Sequence, residues 1–433
     1  MLVDFTVKNY RSIKEAVTLS AVAQKSTSRR TSQRSKRQGI KSDAEITPGH
    51  HLEGWDINIL PVLAIFGANA SGKSNVIQAL DYLLMLMAHG NNQTRKLQKV
   101  SNYAKVTPFK LDNISAKEPT RFELRVALDE SIYTYSLILN QSHIISEKLD
   151  YTSPDTKRIR RLFERNWDKS VNNFIWKNGS DFAGSHTKLQ QNIRKDELFI
   201  SLISRLNIDV VKELCSWLRI RLPGISLGIE ETDILFIANE LNNDDSIQIE
   251  IREQIMEIIK KFDTGLAEID IRTQIEYPDD YEIYAVHHTS DGNKILWSFN
   301  EESLGTQRLL SLAYRMLFAL QGGGLTIVDE LGTNIHPNIV STIINMFQNP
   351  QTNPNGAQLI FTSHDNTLQR NNLLRRDQIW FTQKRLDQST ELYPLTDFRM
   401  SNDLAIDKAY LDGRFGAVPF LPSNEEMILK GEK

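Results

Sequence analysis

Apolar and polar residues alternate over positions 2–7 and again over 17–23, the period of strands with one buried face. The pattern changes after Pro61, where Val62, Leu63, Ala64, Ile65 and Phe66 run without a polar break, as a strand covered on both faces requires. Next, Val76, Ile77, Ala79, Leu80, Leu83, Leu84 and Met87 recur at helical spacing and predict a helix with one buried stripe. Alternation returns over 121–128 and 131–139, a strand pair joined by a turn at Asp129 and Glu130. A largely helical stretch follows, with stripes at Val211/Leu214/Cys215/Leu218 and Ile251/Ile255/Ile258/Ile259/Phe262 that predict an inserted helical domain. Strand patterns at 266–271, 281–286 and 295–299 lead into a helix bearing Leu309, Leu312, Ala313, Leu317 and Leu320, then the apolar strand 325–328. The order predicts an α/β protein with an antiparallel β subdomain and a mostly helical insert.

Length and composition narrow the class. With 433 residues, 40% hydrophobic and 24% charged, the chain has ordinary globular composition and enough length for two or three domains. No apolar run approaches the roughly 18 to 20 residues of a membrane span, so no membrane partner is expected. The first strand carries Asp4 early and reads as a strand, not a signal peptide. Cys215 is the only cysteine and cannot form an internal disulfide, which fits a reducing cytoplasm; within its helical stripe it reads as a packing residue.

Charge is nearly balanced, with a formal net of −3, but locally clustered. Seven basic residues and no acid lie between Lys25 and Lys41, a stretch too polar to fold alone. It is either an arm that neutralises nucleic-acid phosphates or a solvated loop. A second basic cluster spans 157–165, and nucleic acid is a candidate partner through either one.

Gly67-Ala68-Asn69-Ala70-Ser71-Gly72-Lys73-Ser74 is a complete GxxxxGK[ST] loop between a predicted strand and a predicted helix, the context a phosphate-binding loop requires. Gly67 and Gly72 let the backbone curl so that successive N–H groups and the helix amino terminus face phosphates. The expected nucleotide-binding set is Gly67, Asn69, Ala70, Ser71, Gly72, Lys73, Ser74 and Asn75, with Lys73 on the β- and γ-phosphates and Ser74 on Mg²⁺. Asp329 and Glu330 end the apolar strand 325–328. Asp329 is assigned with Ser74 to the Mg²⁺ shell, and Glu330 to the attacking water as general base. The implied cofactors are ATP and Mg²⁺.

Lys73 and Asp329 are 256 positions apart, far more than simple GTPases or kinases use, so a large insertion splits the catalytic sheet. This layout resembles the ABC-type ATPase heads of SMC, RecF and OLD-like proteins. Such heads keep a signature motif one helix before the second strand motif, and Glu302-Ser303-Leu304-Gly305-Thr306-Gln307-Arg308 stands there. Ser303, Gly305 and Thr306 would act in trans on the nucleotide of a partner copy; as a bland alternative Ser303 simply caps the helix. Phe361-Thr362-Ser363-His364-Asp365 resembles the histidine switch, which makes His364 a second catalytic candidate.

In the order VKNYRSIK, GANASGKSN, ESLGTQR, DELGTNIHP, FTSHD, RRDQIWF and YLDGRFGAVPF, the chain resembles the prokaryotic AAA-type, ABC-fold ATPases of the RloA and abortive-infection group, relatives of OLD proteins. The resemblance implies an ATP hydrolase that forms a homodimer or higher homo-oligomer around nucleotide. It also implies a separately encoded effector, a TOPRIM-like nuclease or a toxin, in antiphage defence. Arg11 matches a position where related heads bring a basic residue near the phosphates. The alternatives are a RecF-like repair ATPase acting on DNA and an ATP-dependent scaffold with little hydrolysis. Expected units are lobes at 1–150 and 264–433 around a helical coupling insert at 151–263.

Some expected parts are missing. Gly332 stands where the family usually places an acid, no glutamine-loop residue is assignable, and the 69 residues after His364 leave no room for a TOPRIM module. Asp403, Asp407 and Asp412 read as caps and surface residues. The pairs His50-His51 and His287-His288 lack ligand partners in the sequence, so no metal beyond Mg²⁺ is expected.

Overall fold

The computed structural model describes residues 1–24, 49–97, 106–182, 187–204, 206, 208–220, 231–242, 246–262, 264–273, 281–370, 373–401 and 404–419. The basic stretch 25–41 and Asp403 therefore lie outside the described residues.

In chain order the first half holds β1 (Leu2–Lys8), β2 (Val17–Ser20), β3 (His50–Leu52), β4 (Ile57–Ile59), β5 (Val62–Gly67), α1 (Lys73–Leu97), β6 (Thr120–Leu128), β7 (Ser131–Leu139), β8 (Ile144–Thr152), β9 (Ile159–Asp168) and β10 (Asn173–Asn178). Then come α2 (Thr187–Asn192), α3 (Phe199–Ile203), α4 (Asp209–Ile220), α5 (Glu231–Glu240), α6 (Ser246–Lys260), β11 (Glu268–Thr273), β12 (Tyr281–His288) and β13 (Lys294–Ser298). The last part is α7 (Leu304–Gly322), β14 (Leu325–Val328), α8 (Pro337–Gln348), β15 (Gln358–Thr362), β16 (Ile379–Lys384), β17 (Thr390–Pro394) and α9 (Ile406–Leu411).

Two larger sheets organise these elements. A central five-stranded sheet has the order β14-β15-β5-β16-β17, parallel except for the last strand, and an antiparallel seven-stranded sheet has the order β10-β9-β8-β7-β6-β1-β2. The strand at 62–66 thus sits in the middle of the parallel sheet, and Gly67 ends it beside Thr382 of β16. Smaller sheets pair β3 with β4 and order β11-β12-β13. Asp129 and Glu130 both adopt positive φ (44° and 64°), as a two-residue hairpin turn with the twist of its strands requires.

Alternation along the central strands divides the interior into two cores. Leu63, Ile65, Ile327, Ile360 and Trp380 point to the face shared with α1 and the seven-stranded sheet. Val62, Ala64, Phe66, Val328 and Phe361 point to the opposite face, shared with residues of α5 to α8 and the three-stranded sheet. The fold is mixed α/β, a largely parallel central sheet joined to an antiparallel one.

The stretch expected as a helical insert over 151–263 departs from expectation in two ways. First, it opens with β9 and β10, which extend the antiparallel sheet. Arg160, Arg161 and Arg165 masked that strand pattern, yet Arg165 turns inward and is fully buried against Glu147. Second, among the described residues its helices divide between the two cores. The stripe of α4 joins the core around α1, whereas Ile255, Ile258, Ile259 and Phe262 join the core around α7.

Candidate functional site

The loop between β5 and α1 takes the backbone shape that its glycines allow. Gly67 has φ 155°, Ala70 60° and Gly72 107°. A Cβ on Gly67 would lie 2.5 Å from the Thr382 carbonyl oxygen, and one on Gly72 would overlap the Thr390 side chain. Only glycine fits either place. Thr390 also braces the loop, since its Oγ1 donates to the Ser71 carbonyl at 3.0 Å and lies 2.7 Å from Ser12 Oγ. Ser71 Oγ lies 2.6 Å from Thr382 Oγ1, and Asn75 Nδ2 donates to Ser12 Oγ at 2.6 Å. Asn69 and Ala70 are exposed, and Ser74 is half-buried in the first turn of α1.

Lys73 donates from Nζ to the carbonyls of Gly67 (2.9 Å) and Ala68 (3.1 Å), within the loop's own concavity. Burial lowers its pKa, while the nearby charges of Asp329 and Glu330 act in the opposite direction. The cation from one motif and the two acids from the other, 256 positions apart, therefore share one electrostatic neighbourhood.

Asp329 and Glu330 leave the end of β14, and β15 fixes them both. Thr362 donates from Oγ1 to Asp329 Oδ1 at 2.5 Å and accepts from the Glu330 amide at 2.8 Å. Arg308, on the buried side of α7, donates to the carbonyls of Asp329 (3.0 Å) and Glu330 (2.6 Å). Glu330 is held at φ 54°, uncommon for a residue with a side chain, and its Oε1 lies 3.7 Å from His364 Nε2. Burial, then Lys73, lowers the His364 pKa, against the opposing pull of Glu330 and Asp329. The net effect favours the neutral imidazole.

Ser303 caps α7, accepting from the Thr306 amide at 3.1 Å. The Thr306 side chain is buried, with its hydroxyl 3.0 Å from Ser303 Oγ, so Ser303 and Leu304 form the exposed face of this turn. A Cβ on Gly305 would come within 2.7 Å of the Asn334 carbonyl oxygen, so the turn packs tightly on the loop that follows Glu330. Arg11, at φ 50°, donates to Gln78 of α1 and lines, with Ser12, Ala70, Phe109, Lys110 and Lys384, a cavity of about 360 Å³ beside the glycine-rich loop. Arg11 thus stands beside that loop, joined there by two lysines that sequence had not connected to it.

Among the described residues no group of three His, Cys, Asp or Glu side chains could hold a metal on its own. The donor set on offer, the Ser74 hydroxyl and the Asp329 carboxylate, is hard oxygen of the kind Mg²⁺ takes when substrate phosphates and water supply the other ligands. Thr362, Arg308 and Thr390 were missed as parts of the site. Thr362 and Arg308 lie inside quoted motifs, so their proximity to functional positions was the available signal, whereas Thr390 carried none.

Fold and motifs together define a P-loop ATPase domain of the AAA class. The chain belongs to the family described as "AAA domain, putative AbiEii toxin, Type IV TA system", whose profile matches residues 62–370, from the central strand to just past His364. Solved structures similar to it include an SMC head bound to the C-terminal winged-helix domain of ScpA (12% identity, 95% of this chain, 99% of that chain, TM-score 0.45). The SMC head domain from Thermotoga maritima (12% identity, 91% and 98%, TM-score 0.40) is another. A third is the Smc head with an extended coiled coil bound to the C-terminal domain of ScpA from Pyrococcus furiosus (11% identity, 96% and 98%, TM-score 0.43). No curated protein matches the chain.

Proposed function

We propose that this protein is an ATP-hydrolysing head of the RloA and abortive-infection group that dimerises around nucleotide and controls a separately encoded effector, a TOPRIM-like nuclease or toxin, in antiphage defence. The observation that carries the catalytic part is the convergence of Lys73, Asp329, Glu330 and His364, with Glu330 and His364 3.7 Å apart. The defence setting is supported by the family's own description, which speaks of a toxin–antitoxin system.

When bound, ATP with Mg²⁺ supplies the phosphoryl group that water attacks. Gly67, Asn69, Ala70, Ser71, Gly72 and Asn75 present the amides that hold the phosphates. Lys73 exchanges its two loop carbonyls for β- and γ-phosphate oxygens, and Arg11 adds positive charge from the side. Ser74 and Asp329 would hold the metal. Glu330 accepts the proton of the attacking water, and neutral His364 orients that water or the γ-phosphate. Ser303 and Gly305 of a second copy, with Thr306 holding their turn, close the site from the other side. The proposed lobes are 1–150 and 264–433, and the helices α4 to α6 of the insert at 151–263 would couple them, because α4 joins one core and α5 and α6 the other.

Within the basic cluster 157–165, Lys157 and Arg158 are exposed. Arg160 pairs with Asp181 at 3.1 Å, Arg161 with Glu164 at 2.8 Å, and Arg165 is buried. Among the described residues no helix is long and apolar enough to cross a membrane, and the cytoplasmic setting is our reading from a chain whose one cysteine, Cys215, cannot form an internal disulfide.

The test is affinity purification of tagged Glu330→Gln and Lys73→Ala chains expressed from the native operon, with mass spectrometry of what co-purifies. A stoichiometric protein whose retention differs between the two variants is the expected result. Nucleic acid with no protein partner would replace this reading with that of a RecF-like repair ATPase.

A further inference from the structure

The residue just before the exposed turn of α7 is held in an unusual way. Glu302 is nearly buried, with its side chain 8% exposed, and one carboxylate oxygen takes two donors. His287 Nε2 lies 2.6 Å from Oε1, and Trp297 Nε1 donates to the same oxygen at 2.8 Å. The two donors come from neighbouring strands, β12 and β13, and their rings stack at 4.3 Å with an interplanar angle of 15°. Gln307 completes the lock by donating to the carbonyls of Glu302 (2.9 Å) and Asn300 (3.1 Å). No hydrogen bond of this set reaches Lys73, Asp329, Glu330 or His364.

A carboxylate buried this far is costly unless its donors are fixed, and here both donors are fixed by one rigid stacked pair. Ser303 is the next residue, so the main chain that presents Ser303 and Gly305 is anchored to the β12–β13 hairpin through Glu302. On its other side β12 packs against α5, and α6 lies in the same core as Ile283 and Ala285 of β12.

We propose that Glu302 is a positioning residue: gripped by His287 and Trp297, it sets where Ser303 and Gly305 stand for the nucleotide held by a second copy. This deepens the composite-site reading above and rests on it. Glu302 acts on the partner's site and not on its own, a division that a merely structural role would not produce.

The experiment compares Glu302→Ala, Glu302→Gln and Trp297→Phe for ATP turnover, with binding of a fluorescent ATP analogue measured in parallel. Glu302→Ala lowers kcat at least tenfold while analogue affinity stays within threefold, because an ångström of misplacement costs on the order of a hundredfold in rate. Glu302→Gln keeps an acceptor oxygen for both donors and retains most of the turnover. Trp297→Phe, which keeps a stacking ring and loses one donor, falls between.

Mixing Glu302→Ala with Lys73→Ala then separates the copies. The Glu302→Ala chain still brings an intact loop and the Lys73→Ala chain an intact α7 turn, so the mixture regains turnover that neither variant has alone. No regain from the mixture overturns the proposal, as does a Glu302→Gln chain as impaired as Glu302→Ala. A wild-type chain without turnover, or a Lys73→Ala chain with full turnover, would instead sink the underlying ATPase reading. Those outcomes are visible before any mixing.

Discussion

Thr362 connects both acids to the neighbouring strand, so Thr362→Val is the sharpest cut available in this site. Valine has nearly the same shape and stays buried in β15, where Thr362 has no exposed surface. The change deletes the hydrogen bond to Asp329 Oδ1 at 2.5 Å, a bond to a charged group of about 1.5–3 kcal/mol, and strands the Glu330 amide at a cost of about 1–3 kcal/mol. Valine's extra methyl returns about 1 kcal/mol of apolar burial. The net expected loss is about 1.5–5 kcal/mol, read as a lower urea midpoint at unchanged slope. Turnover suffers more than folding, because Glu330 occupies the left-handed region at a cost of about 1–2 kcal/mol and loses the tether on its amide. Its carboxylate then drifts from the water, and kcat falls on the order of tenfold to a hundredfold. Thr362 makes no contact with the loop at 67–74 through either of these bonds, so analogue binding stays within threefold, and Thr362→Ser retains both activities. A Thr362→Val chain with wild-type kcat would refute the claim that this hydroxyl places the two acids.

Two further outcomes follow from the same geometry. In the nucleotide-free protein the His364 ring, followed by NMR, titrates below the ordinary 6.5; Lys73→Ala moves its midpoint up and Glu330→Gln moves it down. The sign also fixes a stability effect: with the folded pKa below the unfolded one, the unfolded chain binds more protons below 6.5, so stability falls as pH drops through that window, and His364→Gln removes this share of the loss. A midpoint indifferent to both substitutions would mean that the three groups do not share a site. Gly305→Ala places a methyl 2.7 Å from the Asn334 carbonyl oxygen and displaces the turn, so kcat falls more than tenfold with analogue affinity preserved, and equal loss of both would contradict a role in trans.

The parts legible in the sequence were those encoded locally. The unbroken run at 62–66 specified a strand covered on both faces, and the glycines, lysine and serine that follow carry their backbone geometry with them. Two-residue positive-φ turns such as Asp129-Glu130 are legible for the same reason. Contacts across the chain were not. Thr362 reaches Asp329 over 33 positions with only its place in FTSHD as a signal, and Thr390 reaches Ser71 over 319 with none. A helical stripe shows that one face is buried without showing against what, which is why α4 and α6 were assigned to one insert although they serve different cores. Charge misled at β9, where buried Arg165 satisfies Glu147 together with Tyr135 and the amides of Phe199 and Ile200, an arrangement that looks in sequence like part of a basic patch. Alternation did separate His287 from His288: the first turns inward to Glu302 and the second is exposed.

The central claim is that two copies complete one another's nucleotide site, and the mass of Glu330→Gln in solution tests it most directly. Measured by light scattering behind size exclusion, the variant should run as a monomer of about 49.6 kDa without nucleotide and as a dimer with ATP and Mg²⁺. Adding Lys73→Ala to the same chain should abolish the shift. A mass that ignores ATP, or a dimer that survives Lys73→Ala, would contradict the account.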